Sequence, residues 1–381
     1  MVDTRPDAYF DATGECLACI AYRQRSEIDW DARKEQLIRI LEQAKGRVVV
    51  ASSGGKDSHW IALKLLELGA KVTVVTATTD HLTDIGKRNI HNLARYADTI
   101  EVTPNQTVRR KISRIGLRQV GDISYGEHIA IWSTPLRTAV KLNTPLVFYG
   151  ECPQNEIAGP RGTEQAQIMD RRWVSEHGGL LGMRAHDLVG QDGITEGDIE
   201  PYLLPNPTEM ETVKAYWLGQ FLPWEGLQNA IVAREHGFEW YHTEVEGSIG
   251  RYESLDNAQT GLHEWFKYLK YGYMRPTDMC SLAIRRGRMS REAALTTIAE
   301  RETFPITYIG VRYEDVLGRI GIEQTEFVEM CRKFTNFDLF EDDERSWRVP
   351  RFKPSLDEML AARVRGQGVL TVKSTADVFG V

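Results

Sequence analysis

Cysteine is scarce in this chain, with five residues in 381, and only Cys16 and Cys19 lie close together. A sparse, odd set makes no disulfide framework and points to a reducing compartment. Long apolar runs are missing as well. Nowhere do about 18 apolar residues follow one another, which argues against a membrane span. The opening MVDTRPDAYF lacks the basic and apolar pattern of a secretion signal. The expected location is the cytoplasm. There is no excess of positive charge either, since the formal net charge is −7. That disfavours a nucleic-acid partner held by a general basic surface. A local basic stripe, Arg109, Arg110, Lys111 and Arg114, reads as a solvated helix face.

What remains is an ordinary globular composition, 42% hydrophobic and 27% charged. At roughly 150 residues per domain the length allows two packed units. In the stretch VVVASSGGKDSHWIALKLLEL, residues 48–68, a β-branched run stops at a Ser/Gly loop and an amphipathic run follows at once. This reads as strand, loop, helix, with Gly69 closing the helix. KVTVVTA gives a second strand, DIGKRNIHNLARYA a second helix and TIEVTP a third strand. Helical spacing at residues 29–43 predicts a surface helix before the first strand. HIAIWSTPLRTAVKLN reads as a helix interrupted or begun near Pro135, and TPLVFYGE as a further buried strand. Alternating strands and helices of these lengths imply parallel pairing through right-handed crossovers, hence an α/β doubly wound parallel sheet. Pro and Gly density rises at 152–162 and 190–207, which reads as loops near the sheet. From about Trp217 the text turns to aromatic-rich helices, one of which Ser290 can cap. The expected division is 1–45, an N-terminal segment with the Cys pair and a helix; 46–216, the sheet domain with a loop insertion; and 217–381, a mainly helical region.

Two glycines let backbone N–H groups approach a ligand closely, and at a helix start those donors meet the positive end of the dipole. Phosphate is the natural occupant, with Ser53, Gly54, Gly55 and Ser58 as the cradle and Lys56 as countercharge. The loop is neither G-x-x-x-x-G-K-[ST] nor G-x-G-x-x-G. Asp57 beside phosphate donors calls for a bridging cation, and Mg²⁺ is the simplest. The competing reading is a tight strand-to-helix turn with Asp57 near the N-cap. Ligands gather at the carboxyl ends of parallel strands, so Thr76 and Ala77 should meet the base, with Gly150 ending a neighbouring strand.

SSGGKDS resembles the PP-loop of the N-type ATP pyrophosphatases, which split ATP into AMP and pyrophosphate while adenylating an oxygen. Longer stretches resemble the N-acetyl sugar amidotransferase family, WbpG-like and PseA-like. They are DTRPDAYFDATGECLACIAY, IDWDARKEQL, VTPNQTVRRKISRIG, TPLVFYGECPQNEIAGP, YWLGQFLPWEGLQNAIVAREHGFEW and SIGRYESLDNAQTGLHEWFKYLKYGYMRPTDMCSLAIRRGRMSREAA. The resemblance implies a PP-loop ATP pyrophosphatase fold with a helical C-terminal region. It also implies conversion of an acetamido group of a nucleotide-linked sugar to an acetamidino group, in surface-polysaccharide or nonulosonic acid assembly. ATP and Mg²⁺ are the implied cofactors. Ammonia would come from a separate glutaminase with a barrel-type partner, and a homo-oligomer is compatible with the sequence.

Within that resemblance Lys56, Asp57 and Glu151 are the catalytic candidates. Glu151 could take a proton from ammonia or hold Mg²⁺. A loop carboxylate paired with Arg161 is its other reading. Asn155 and Glu156 stand alongside it. His263, Lys267 and Lys270 share a helix face and, with Arg275 and Asp278, could clasp the substrate. A solvated basic side on an aromatic core helix is the competing account. Cys16 and Cys19 have the half-site spacing of a zinc knuckle, and a pair of reduced core thiols is the alternative. Other functions compatible with such a loop are tRNA thiolation, action on a different amide or carboxylate, adenosine phosphosulfate reduction, and nucleotide binding without catalysis. Thiolation needs a persulfide cysteine and a nucleic-acid groove. The reductase needs a C-terminal cysteine motif, and no cysteine follows Lys333.

Overall fold

The computed structural model describes residues 2–150, 152, 153, 156, 159 and 168–340. Among them a five-stranded sheet has the order β3-β2-β1-β4-β5, with every neighbouring pair parallel. The strands are β1 (Arg47–Ser52), β2 (Lys71–Ala77), β3 (Asp98–Val102), β4 (Leu146–Tyr149) and β5 (Lys214–Trp217). The doubly wound α/β reading is therefore correct, and the arrangement is consistent with a PP-loop-type fold.

Burial explains why these runs become central strands. Val48, Val49 and Val50 are all wholly buried. Because successive side chains point to opposite faces, Val48 and Val50 join one core layer while Val49 joins the other. Helices α1 (Leu17–Gln24), α2 (Trp30–Gln43) and α3 (Lys56–Glu67) precede the second strand. Asp29 caps α2, its carboxylate accepting from the Ala32 amide at 2.9 Å. Leu37 and Leu41 of α2 pack in the same layer as Trp60, Ile61 and Leu65 of α3.

Helix α4 (Asp84–Leu93) links β2 to β3, and α5 (Gln106–Val120) and α6 (Tyr125–Lys141) lead from β3 to β4. The expected break near Pro135 is absent: α6 runs unbroken through it. Burial of Ile129, Ala130, Leu136 and Ala139 on either side holds the helix together. The proline removes only the donor that the Ile131 carbonyl would have used. The strand β5 was not visible in the sequence. It is four residues long, sits at the sheet edge, and pairs with β4 from Leu146↔Lys214 to Tyr149↔Trp217.

The basic stripe is not simply solvated. Arg109 is 1% exposed and contacts Glu127 and Tyr202, whereas Arg114 pairs with Asp192. The stretch 190–207 packs through Ile194, Ile199 and Tyr202 against α5 and α6, which anchors it.

Beyond α7 (Arg171–His177), the C-terminal part comprises α8 (Gly226–Glu235), α9 (Thr260–Tyr271), α10 (Arg275–Arg285), α11 (Arg291–Arg301), α12 (Tyr313–Ile320) and α13 (Gln324–Phe334), with a two-stranded hairpin before α12. Its core gathers Trp265, Phe266 and Leu269 of α9 around Tyr313, Leu317 and Phe327. Ser290 caps α11, accepting from Ala293 at 3.1 Å. No helix among the described residues is long and apolar enough to cross a membrane.

One crossing segment decides where the site lies. Residues just before α9 are tied to the loop after β2: the Thr79 hydroxyl donates to the Asp256 carbonyl at 3.0 Å, and the Ala258 amide to the His81 carbonyl at 3.0 Å. Arg319 of α12 reaches the same loop and pairs with Asp80 at 3.2 Å. The C-terminal region thereby lies over the carboxyl edge of the sheet.

Candidate functional site

The order β3-β2-β1-β4-β5 reverses direction between β1 and β4, and the crevice at such a switch point is where open α/β sheets bind ligands. The Ser/Gly loop leaves β1 at that place. Gly54 has φ +79, and a Cβ there would stand 2.5 Å from Ile90 Cγ1, so the turn needs glycine. The Ser52 hydroxyl accepts from the Gly54 amide at 2.9 Å, and the Ser58 hydroxyl donates to the Gly55 carbonyl at 2.9 Å. No side chain caps α3 at Gly55, which leaves its first-turn amides facing the crevice for an anion.

His59 fixes this turn and was not foreseen. One ring nitrogen, Nδ1, is 3.0 Å from the Gly55 carbonyl, and the other, Nε2, is 3.1 Å from the Asn92 amide nitrogen. Burial pushes its pKa down to about 4 against the pull of that carbonyl, so the ring is neutral at pH 7. Its place four residues after Gly55, on a helix it helps start, was the only signal in the sequence.

Two cavities meet over the loop. The first, about 310 Å³, is lined by Ser52, Ser53, Gly55 and Ser58, by Ala77 and Gly150 at the strand ends, and by Trp132 and Pro135 of α6. Thr76 ends up just beside it, with a buried hydroxyl that has no hydrogen-bond partner among the described residues. The second, about 510 Å³, is lined by Trp224, Arg275, Arg285, Arg286 and Arg288 among others. Lys56, Asp57, Tyr252 and Glu253 belong to both.

Lys56 is the hinge of this arrangement. Its ammonium lies 2.6 Å from Asp57 Oδ2 and 3.0 Å from Glu253 Oε1. Burial alone would discharge it, but the two carboxylates hold its pKa above the ordinary lysine value. Asp57 Oδ1 accepts from Asn229 of α8 at 2.9 Å. Asp57, Glu253 and Asp256 line the smaller cavity beside the loop without forming a three-carboxylate metal cluster among the described residues, and Asp57, in the first turn of α3, is the oxygen donor placed for a cation brought in with phosphates. Burial pushes the Asp256 carboxyl up to about 6, far enough to exchange a proton near neutrality. Glu253, Asp256 and Asn229 were not read as site residues, because nothing in their own stretches reports that they lie over a loop some 170 to 200 residues earlier.

The basic face of α9 does not form one clasp. Arg275 and Asp278 line the larger cavity, but Arg275 is also bound to Glu264 at 2.9 Å and Asp278 to Arg5 at 2.9 Å. Lys267 bridges Glu264 and Asp278, at 3.0 and 2.8 Å. Burial would raise the Glu264 carboxyl, but Arg275 and Lys267 hold it at about 2. His263 and Lys270 lie apart from the cavities: His263 contacts Asp122, and Lys270 donates to the Val120 and Gly121 carbonyls. Glu156 lines the larger cavity and pairs with Arg25 and Arg286. Glu151, Asn155 and Arg161 lie outside the described residues.

Arg285 differs from its neighbours. It lines the larger cavity, and among the described residues no carboxylate pairs with it, while Arg286 has both Glu156 and Glu225. Burial lowers its pKa from the ordinary arginine value. A half-buried guanidinium with no carboxylate partner suits an anion.

Cys16 and Cys19 stand at the start of α1 with their sulfurs 3.4 Å apart. Among the described residues no third His, Cys, Asp or Glu completes a donor group with them. The pair thus offers two of the four ligands that a structural zinc needs.

No curated protein matches this chain. Residues 246–353 match the family described as LPS biosynthesis protein WbpG-like, C-terminal domain, a stretch that contains Glu253, Asp256, Arg275 and Arg285. That match supports assigning this chain to a WbpG-like family of biosynthetic enzymes, with a role in polysaccharide biosynthesis.

Proposed function

We propose that this protein is an ATP-dependent amidotransferase that turns the N-acetyl group of a sugar, carried on an anionic group such as a nucleotide, into an acetamidino group. The observation that carries the reading is the pair of adjoining cavities with Lys56, Asp57 and Glu253 at their boundary. ATP would lie in the smaller one, its phosphates on the amides that begin α3, and the acceptor in the larger, arginine-rich one.

The amide oxygen of the acceptor attacks the α-phosphorus, the bond to the β-phosphate breaks, and pyrophosphate leaves. Ammonia then adds to the activated carbon and AMP departs. Charge develops on the leaving pyrophosphate, where Lys56 and the α3 amides stand ready without reorganisation. Mg²⁺, when bound, would neutralise that charge further, and Asp57 is the residue best suited to hold it. Asp256, a carboxylate above about pH 6, can take the proton that ammonia loses on addition. Trp132, Tyr149, Trp217 and Tyr252 around the smaller cavity help exclude the water that would hydrolyse the adenylate. Ammonia from a separate glutaminase and its barrel-type partner completes the reaction.

The test is ATP consumption with ammonium salt and a panel of nucleotide-linked acetamido sugars, reading AMP, pyrophosphate and product mass. Expected are AMP formation dependent on one sugar and a product in which oxygen has been exchanged for NH. ATP bound without AMP release across the panel would move the acceptor to another amide. AMP formation dependent on tRNA alone would replace this reading with thiolation.

A further inference from the structure

Asp122, His128 and His263 form a cluster that the chemistry above leaves unused. Asp122 follows α5, in the turn where Gly121 takes φ +62, and is 2% exposed. Its Oδ1 accepts from the Ser124 amide at 2.9 Å and lies 2.8 Å from His263 Nδ1. Its Oδ2 lies 2.9 Å from His128 Nδ1. One donor atom from each of the three residues falls within 4.8 Å of the others. The two rings stand nearly perpendicular, at 79°, with centroids 5.1 Å apart.

We propose that these three residues form a binding site for a divalent first-row transition ion of the zinc type. Two imidazoles and a carboxylate make a donor set that such ions favour and that Ca²⁺ and Mg²⁺ do not. The dimensions fit after a small adjustment. Bonds of about 2.0–2.1 Å put tetrahedral ligands roughly 3.3 Å apart, so the two carboxylate–imidazole separations, 2.8 and 2.9 Å, need open by only about half an ångström, while the imidazole nitrogens, within 4.8 Å of each other, turn to face the ion. The rings can supply that movement, since the side chains of His128 and His263 are 26% and 27% exposed while the carboxylate is enclosed. The same exposure gives an entry path and room for water as a further ligand. The Ser124 amide holds the carboxylate from behind, as an outer partner does in built metal sites. Lys270, the neighbouring cation, is turned onto the Val120 and Gly121 carbonyls at 3.1 and 3.2 Å and leaves the carboxylate to the histidines.

The ligands come from two parts of the molecule. Asp122 and His128 belong to the α5–α6 corner and His263 to α9, so a bound ion would pin the C-terminal region to the sheet domain.

The experiment is a titration of the chelator-treated full chain with Co²⁺, followed by visible and near-ultraviolet absorption. Binding of about one ion per chain is expected, with d–d bands but no thiolate-to-cobalt charge transfer, and with displacement by Zn²⁺. His128→Gln and His263→Gln should each weaken binding more than about 100-fold, beyond the loss typical of an outer-shell partner, and abolish the rise in Tm that the ion gives the wild type. The proposal is overturned if the folded wild type binds no stoichiometric cobalt, if charge transfer puts the ion on Cys16 and Cys19, or if both variants bind undiminished. Should neither variant fold, the wild-type spectrum decides alone, because imidazole and thiolate ligation differ in it.

Discussion

The Ser/Gly loop and the arginine-rich cavity beside it adjoin in space and are built in different ways. The loop is six consecutive residues, and its donors are backbone amides set by one strand, one glycine with positive φ and one helix start. The cavity draws side chains from segments spread between Val2 and Met289, and its charges are set by pairing: Arg275 to Glu264, Arg5 to Asp278, Arg286 and Arg288 to Glu225, with Arg285 left over. A backbone site tolerates little change, but its donors are already fixed within one turn of chain. A side-chain site depends on which partners arrive, and its function resides in the charge that they leave uncompensated.

The largest expected effect falls on the loop. Asp57→Asn should lower AMP formation by about three orders of magnitude, in the range for losing a charge-stabilising group at the reacting centre. Circular dichroism should stay at wild type, and a fully active variant would remove Asp57 from the chemistry. The matching change in the cavity is Arg285→Met. If the two regions divide the work as drawn, the acceptor KM should rise roughly 10- to 100-fold, about 1.4 to 2.7 kcal/mol at 1.36 kcal/mol per decade, with ATP affinity unchanged. Equal losses for both substrates would dissolve the distinction between the cavities.

A smaller effect concerns protons. Because burial raises the Asp256 carboxyl to about 6, it is protonated and idle as a base below that pH and active above it. At fixed free ammonia, product formation should climb about tenfold per pH unit below 6 and level off above. Asp256→Asn should flatten this limb, and a limb that persists unchanged would assign it to another group. The smallest change is structural. His59→Phe removes the hydrogen bond to the Gly55 carbonyl and one of the two acceptors of the Asn92 amide, which keeps the His236 carbonyl. A stability loss of about 1–3 kcal/mol is expected from denaturant unfolding. With ATP affinity also reduced, His59 would stand as a positioning residue of the loop.

The order of strands and helices through β4 was legible because parallel strands buried on both faces are written as apolar runs, such as residues 48–50. The Ser/Gly loop was legible too, since a helix start and a positive-φ glycine are local properties. It misled at Pro135, where packing outweighs one lost hydrogen bond, and was silent on β5, whose four residues become a strand only through β4. Tertiary structure alone decided that Glu253 and Asp256 cross above the loop, that Lys267 is engaged by carboxylates, and that Arg285 is not. The physical reason is range: backbone geometry is fixed within a few residues, whereas a buried charge takes its meaning from whichever distant partner the fold brings within about 4 Å.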